Sequence, residues 1–356
     1  MTSERASVLI VDDSRLVRQV LSDLLESSGE FRVAGTAEDG LDAIRKVHAL
    51  KPDLVTLDVQ MPGLDGLQVL GYIMSEAPRA VVMLTGAGDK RGDDLTLRAL
   101  ELGAVDFVRK PAPDEGLHAD GLRDLLLGAL RGALGVNLAA ASALARPTRA
   151  RNRAHPTKPA TRVVALAAST GGPRALAELI PALPPDLGAA VLVVQHMPAG
   201  FTGSLAERLD RRSALPVTEA IDGEPLIENR VYIAPGGRHL GVSLCEDGTK
   251  RLYVKEDAPL HGVRPSADVL FASIARAFGP AAIGVVLTGM GRDGTDGLRC
   301  MRQAGAFGIV QDEATSTVYG MPRTALGVAG ADAIVPLPEM ARAIALALES
   351  RAPLGM

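Results

Sequence analysis

Apolar positions in this chain fall in short unbroken runs separated by stretches with helical spacing. Val8-Leu9-Ile10-Val11, Leu54-Val55-Thr56-Leu57 and Ala80-Val81-Val82-Met83-Leu84 show no in-out alternation. Such runs read as strands buried on both faces. Arg32-Val33-Ala34-Gly35-Thr36-Ala37 and the short Asp106-Phe107-Val108 make a set of five. Residues 15–26 and 40–50 carry apolar side chains at the spacing of amphipathic helices. This βαβα order predicts a parallel sheet with helices on both faces. A second α/β unit starts at Val163. Its strands are expected at 163–167, 191–195, 231–234, 283–287 and 307–310, with helices near 173–181, 203–212, 266–277, 294–304 and 338–349.

The two units are separated by a change in composition. From Leu125 to Thr161 there is no Asp or Glu, while Arg131, Arg146, Arg149, Arg151, Arg153 and Lys158 occur and Pro147, Pro156 and Pro159 interrupt. A solvated basic tether is the expectation, its early part extending the last helix of the first unit. The predicted organisation is therefore α/β throughout, as two doubly wound parallel-sheet domains at 5–125 and 161–350 joined by a linker at 126–160. At 356 residues, 47% hydrophobic and 22% charged, the chain has enough apolar material for two cores. No apolar stretch reaches the roughly 20 uninterrupted residues of a membrane span, so direct membrane insertion is not expected. The N-terminal Met-Thr-Ser-Glu-Arg-Ala-Ser lacks a signal-peptide layout, and Cys245 and Cys300 have no metal-ligand spacing. A cytoplasmic protein is expected. A net charge of −4 and the absence of tryptophan give no footing for nucleic acid.

Chemistry concentrates where strands end. Ala168-Ser169-Thr170-Gly171-Gly172-Pro173-Arg174 follows a strand and leads into a helix. A serine at such a corner sits beside free backbone N–H groups that can hold an oxyanion. Ser-Thr-Gly-Gly is equally an ordinary helix cap when taken alone. His196 follows the strand 191–195, and Asp293 lies in the glycine-rich loop Thr288-Gly289-Met290-Gly291-Arg292-Asp293-Gly294 after another. Open α/β sheets place their sites at such strand ends. Serine needs a base, and the base needs an acid to fix its tautomer, so the three together favour catalysis over capping. Asp296 competes for the acid role, and Asp293 can instead cap the following helix. His239 and His261 fall in turn-like segments. The order Ser, His, Asp differs from the Ser, Asp, His order of α/β-hydrolases.

The first unit has its own strand-end set. Asp12 and Asp13 follow the first strand and Asp58 the third, so three carboxylates converge on one pocket that calls for a hard cation such as Mg²⁺. Thr85 and Lys110 end the fourth and fifth strands and flank the same place, suited to an added phosphoryl group. Val-Asp-Asp-Ser (11–14), Leu-Asp-Val-Gln-Met-Pro-Gly-Leu-Asp-Gly (57–66), Thr85 and Lys110-Pro111 resemble the response-regulator receiver domain. The resemblance implies a flavodoxin-like fold in which Asp58 accepts a phosphoryl group from a histidine kinase. It further implies that Asp12, Asp13 and Asp58 hold Mg²⁺, and that Thr85 and Lys110 read the phosphate. The charged loop at 88–94 is longer than receivers often have.

Ala-Ser-Thr-Gly-Gly, Val-Val-Gln-His-Met-Pro (193–198), Ile-Ala-Pro-Gly-Gly (233–237), the 288–294 loop and Gln-Asp-Glu-Ala-Thr-Ser (311–316) resemble the chemotaxis protein-glutamate methylesterases, over about residues 161–350. That resemblance implies a Rossmann-like catalytic domain with Ser169, His196 and Asp293 as triad. Thr170 would assist beside the nucleophile, and the Met290 amide would hold the oxyanion. The implied enzyme is a phosphorylation-activated carboxylic ester hydrolase. It would remove glutamyl γ-methyl esters from chemoreceptor cytoplasmic domains and deamidate selected glutamines, with no cofactor for the esterase step. Ala167-Ala168 replaces a glycine-containing lead-in, and Arg292 stands where a small polar residue is common. Two rivals follow from the same residues: a response regulator that only docks protein, and a DNA-binding regulator, for which no helix-turn-helix is visible.

Overall fold

The two parallel sheets of the computed structural model carry their candidate residues at, or in the loops just past, the carboxyl ends of strands; it describes residues 5–86, 90–111, 120–138, 157–246 and 248–351. The chain divides into two units, Met1–Leu144 and Ala145–Met356. In the first, β1 (Ala6–Val11), α1 (Arg15–Ser28), β2 (Phe31–Ala37), α2 (Gly40–Leu50) and β3 (Leu54–Asp58) come first. They are followed by α3 (Gly66–Glu76), β4 (Ala80–Thr85), α4 (Lys90–Glu101), β5 (Asp106–Arg109) and α5 (Asp120–Leu134). The five strands are parallel in the order β2-β1-β3-β4-β5. Val8, Leu9, Ile10 and Val11 are fully buried, as the unbroken run requires of a strand covered on both faces. Order reverses between β1 and β3, and that switch point is where Asp12 and Asp58 emerge.

Local signals set the helix bounds. Ser14 caps α1 by accepting the Val17 amide, and Gly29 closes it in the left-handed region. The sequence reading did not pick out α3 or α4. For α3 the signal was present, since Asp65 and Gln68 form a reciprocal capping box. Leu126, Leu127, Leu130 and Ala133 of α5 belong to the core of the first unit, so the segment expected as linker begins as a packed helix. Residues 139–156 of that segment, and positions 88 and 89 of the charged loop, lie outside the described residues.

The second unit begins with β6 (Val163–Ala168), α6 (Gly172–Ala182), β7 (Ala190–Gln195), α7 (Phe201–Asp210), β8 (Val217–Glu219) and β9 (Val231–Ile233). It continues with β10 (His239–Leu244), β11 (Lys250–Lys255), α8 (Ala267–Phe278), β12 (Ala282–Val286) and α9 (Thr295–Gln303). Last come β13 (Phe307–Gln311), α10 (Met321–Val328), β14 (Ala333–Val335) and α11 (Leu337–Ser350). Seven parallel strands run β14-β13-β12-β6-β7-β9-β8, and β10 and β11 form a separate antiparallel hairpin. The sheet is thus doubly wound, with its switch point at β6. Strands β8, β10, β11 and β14 and helix α10 were not foreseen. Two of those strands have three residues each, β11 has charged residues at both ends around a three-residue apolar run, and Pro322 at the start of α10 reads as a turn. Phe271 of α8 is fully buried in the core of this unit, and truncating it to Ala would cost about 3–5 kcal/mol. Among the described residues, no helix is long and apolar enough to cross a membrane.

Candidate active site

Three neighbouring strands deliver the candidate triad. Ala168 at the end of β6 pairs with Gln195 at the end of β7, and Ala167 pairs with Val286 of β12. Ser169 and His196 are therefore the next residues on adjacent strands. The His196 amide donates to Ala168 O at 3.0 Å, and the Ser169 amide donates to Thr288 O at 3.0 Å. The chain then turns through Gly171 at φ 77°, where a Cβ would lie 2.5 Å from Thr317 Cβ. Any side chain here would be both strained and blocked. α6 starts at once, so Ser169 is presented at a strand-to-helix corner.

Asp293 is the most heavily bonded of the three. His196 Nε2 lies 2.7 Å from its Oδ2, and Ala267 N donates to the same oxygen at 2.6 Å. Ser266 Oγ and Asp268 N donate to Oδ1 at 2.7 and 3.1 Å. The carboxylate thus occupies the N-terminus of α8 rather than of its own following helix, where N–H groups and the helix dipole favour an anion. Burial pushes this carboxyl up. The hydrogen bond and charge of His196, with the Ser266 hydroxyl and the Ala267 amide, outweigh that and hold it at about 2. An ionised carboxylate makes Nε2 the protonated nitrogen of His196, leaving the lone pair on Nδ1. Ser169 Oγ and the imidazole are not hydrogen-bonded to each other here, as is common before substrate tightens a site.

Asp296, the competing acid, is engaged elsewhere: Arg292 and Arg299 contact its two oxygens at 2.8 and 3.0 Å. Asp268 is buried and lies 3.3 Å from His261 Nε2. Burial, with Asp293 and Asp296 nearby, raises its carboxyl to about 6 against the opposing Gly297 amide and His261.

The 288–294 loop is pinned on both sides. Thr288 Oγ1 donates to Thr170 O at 3.0 Å, and the Thr288 amide donates to Gln311 Oε1 at 2.8 Å. The Gly289 amide donates to Val318 O, and Gly289 O accepts from Gly320 and Met321. A Cβ on Gly289 would meet Met321 Sδ at 2.4 Å and Ser169 Cβ at 2.7 Å, so glycine is what lets this loop touch the serine. The next amide, that of Met290, has no partner among the described residues. It is a free donor on a fixed loop beside Ser169.

Ser266, Thr288 and Gln195 were missed as site residues by sequence reasoning. Ser266 carried a signal, being a capping residue type just ahead of a helix. His239 is not in a turn. It opens β10, is buried, and accepts the Ser266 amide on Nδ1 at 3.1 Å while Nε2 donates to Ala258 O at 3.0 Å.

In the first unit, Asp12 and Asp58 are buried and Asp13 is exposed, with one oxygen of each within 4.8 Å of the others. Lys110 Nζ lies 2.6 Å from Asp12 Oδ2 and 2.9 Å from Asp58 Oδ2. Burial raises the Asp58 carboxyl to about 6, helped by Asp12 and opposed by Lys110 and the Gln60 amide. Burial pulls Lys110 down, but the two carboxylates outweigh it and raise its pKa. Thr85 is buried at the end of β4, with its hydroxyl 3.2 Å from that of Thr96 on α4.

Residues 164–344 match the family model of the CheB methylesterase, and residues 8–120 match that of the response regulator receiver domain. A protein-glutamate methylesterase/protein-glutamine glutaminase of Pyrococcus horikoshii is 40% identical over 353 residues, covering 98% of this chain and 95% of its own. One from Geobacillus kaustophilus is 44% identical, covering 95% and 97%. The crystal structure of the Thermotoga maritima CheB methylesterase catalytic domain is 39% identical, covering 52% of this chain and 97% of its own with a TM-score of 0.51.

Proposed function

The chain belongs to the CheB methylesterase family, with a response regulator receiver domain in front, and we propose that Ser169, His196 and Asp293 are its catalytic triad. It is a protein-glutamate methylesterase and protein-glutamine glutaminase regulated by phosphorylation. The observation that carries the triad is the 2.7 Å His196–Asp293 bond, set one residue past paired strand ends from Ser169.

On this reading Nδ1 of His196 takes the Ser169 proton as Oγ attacks the γ-carbonyl of a glutamyl methyl ester. Asp293 stabilises the imidazolium through Nε2–H. The negative charge that develops on the carbonyl oxygen is met by the Met290 N–H, with Thr170 assisting beside the nucleophile. His196 returns the proton to methoxide, methanol leaves, and water activated by the same Nδ1 clears the acyl-enzyme. With a glutamine side chain the leaving group is ammonia and the remaining steps are unchanged. Both outcomes start from one attack on one kind of carbonyl. None of these steps calls for a cofactor.

The receiver reading assigns Asp58 as phosphoryl acceptor, with a chemotaxis histidine kinase as donor. The oxygen-only set of Asp12, Asp13 and Asp58 fits Mg²⁺, which prefers hard oxygen ligands. Bound there, the ion would offset charge on the phosphoryl oxygens, and Lys110 and Thr85 would contact the phosphate. Sequence sets the receiver at 5–125, the connection at 126–160 and the catalytic part at 161–350; because α5 packs into the receiver core through Ala133, we extend the receiver to 134 and keep 161–350 for the catalytic part. The substrates are the cytoplasmic domains of chemoreceptors, which sets the enzyme in the cytoplasm. The free thiols Cys245 and Cys300 are in keeping with that compartment.

A fluorophosphonate that labels activated serines tests the triad. Stoichiometric adduct at Ser169, lost in His196→Gln, is expected; adduct at another serine would overturn the assignment.

A further inference from the structure

Gln195 is the last residue of β7 and immediately precedes the proposed base. Its side chain is almost fully buried at 2% exposure. Its Nε2 donates to the carbonyl oxygen of Ser169 at 2.9 Å and to that of His196 at 3.1 Å. A carboxamide nitrogen has two protons, so both are used on the backbones of the nucleophile and the base. The ladder between β6 and β7 stops at the Ala168–Gln195 pair and the His196 amide. Past that point, one side chain ties the two residues together.

The orientation of this amide is dictated by its partners. Flipped, Oε1 would face two carbonyl oxygens and make no hydrogen bond. In the orientation seen, Oε1 is buried without a partner. It lies against Gly172, where a Cβ would come within 2.0 Å of it. An apolar side chain of similar length would fill this space without leaving an unpaired acceptor. A buried polar atom retained at such a cost needs a reason, and the two donated bonds supply one.

We infer that Gln195 is a positioning residue for the known reaction: its amide fixes the distance and angle at which Ser169 meets His196. The inference rests on the triad reading. A misplacement of about 1 Å at a reacting pair can cost on the order of 10²-fold, so the tether acts on turnover rather than on substrate binding.

The test uses the phosphorylated full-length chain and methanol release from methylated receptor membranes. It compares Gln195→Leu, Gln195→Glu and Ser169→Ala, each normalised to its folded fraction by circular dichroism. Gln195→Leu should lose about 10- to 100-fold in kcat with KM unchanged. Gln195→Glu is isosteric. Ionised, it has no proton to offer two carbonyls; protonated, it has one. Its kcat relative to wild type should therefore rise as pH falls, a trend Gln195→Leu cannot show. Wild-type kcat in both variants, or a Gln195→Glu ratio that is flat with pH, would overturn the inference. If Gln195→Leu does not fold, the Gln195→Glu ratio decides alone. Activity retained in Ser169→Ala would instead overturn the triad reading, whatever Gln195 does.

Discussion

Asp58 and Asp293 are the same residue type and both buried, one ending a parallel strand and the other in the loop that follows one, and their environments push them in opposite directions. Asp293 receives two amides, a hydroxyl and an imidazole and is held at about 2. Asp58 has the Lys110 ammonium and a long Gln60 amide contact, faces Asp12, and is raised to about 6. The first is a fixed anion with its lone pairs in use, suited to orient a histidine and never to react. The second is an under-satisfied carboxylate whose oxygens are available for a cation and a phosphoryl group. Donor count, more than burial, separates these two carboxylates.

Breaking the anchor should have the largest effect. In Asp293→Asn the amide can donate to Nε2, which forces the proton onto Nδ1 and removes the base. A fall in kcat on the order of 10⁴-fold is expected, with the fold retained by circular dichroism. Crowding the nucleophile comes next: Gly289→Ala should cost about 10²-fold in kcat, because the added methyl meets Ser169 Cβ. On the receiver side, Asp58→Asn should bring the ratio of activities with and without phosphodonor to one while leaving basal methanol release unchanged. A surviving ratio would place the phosphoryl acceptor elsewhere.

The smallest effect sharpens the contrast. Asp268 neighbours Asp293 but is raised to about 6 by burial. A carboxyl whose folded pKa lies above its unfolded value near 3.9 costs stability once both forms ionise, and the cost vanishes below the unfolded value. Asp268→Asn keeps an oxygen for the Gly297 amide, which donates at 2.6 Å. It should raise the melting temperature by a few degrees above about pH 6 and not below about pH 4. A shift of equal size at both pH values would mean that charge is not its origin.

Much of this was legible in sequence. The unbroken runs at 8–11, 54–57, 163–167 and 283–287 gave the central strands of both sheets to within two residues at either end. Ser169, His196 and Asp293 could be picked out as candidates because each directly follows such a run or sits in the glycine-rich loop after one. The bed under Asp293 was not. Ser266 and His239 reach it only after β10 and α8 pack together, and no local pattern encodes that meeting. The hairpin β10–β11 was hidden because β11 carries charged residues at both ends and leaves an apolar run of only three residues, Leu252, Tyr253 and Val254. Gln195 falls inside the Val-Val-Gln-His-Met-Pro segment, yet no local pattern there says that its side chain is buried and donates to the backbones of both Ser169 and His196.

The most direct measurement is methanol release from radiolabelled methylated receptor membranes, for wild type and Ser169→Ala, with and without a small phosphodonor and Mg²⁺. Release that rises with phosphodonor in the wild type and falls by about 10⁴-fold or more in Ser169→Ala is the predicted result. Release that persists in Ser169→Ala would contradict the triad at the centre of this account.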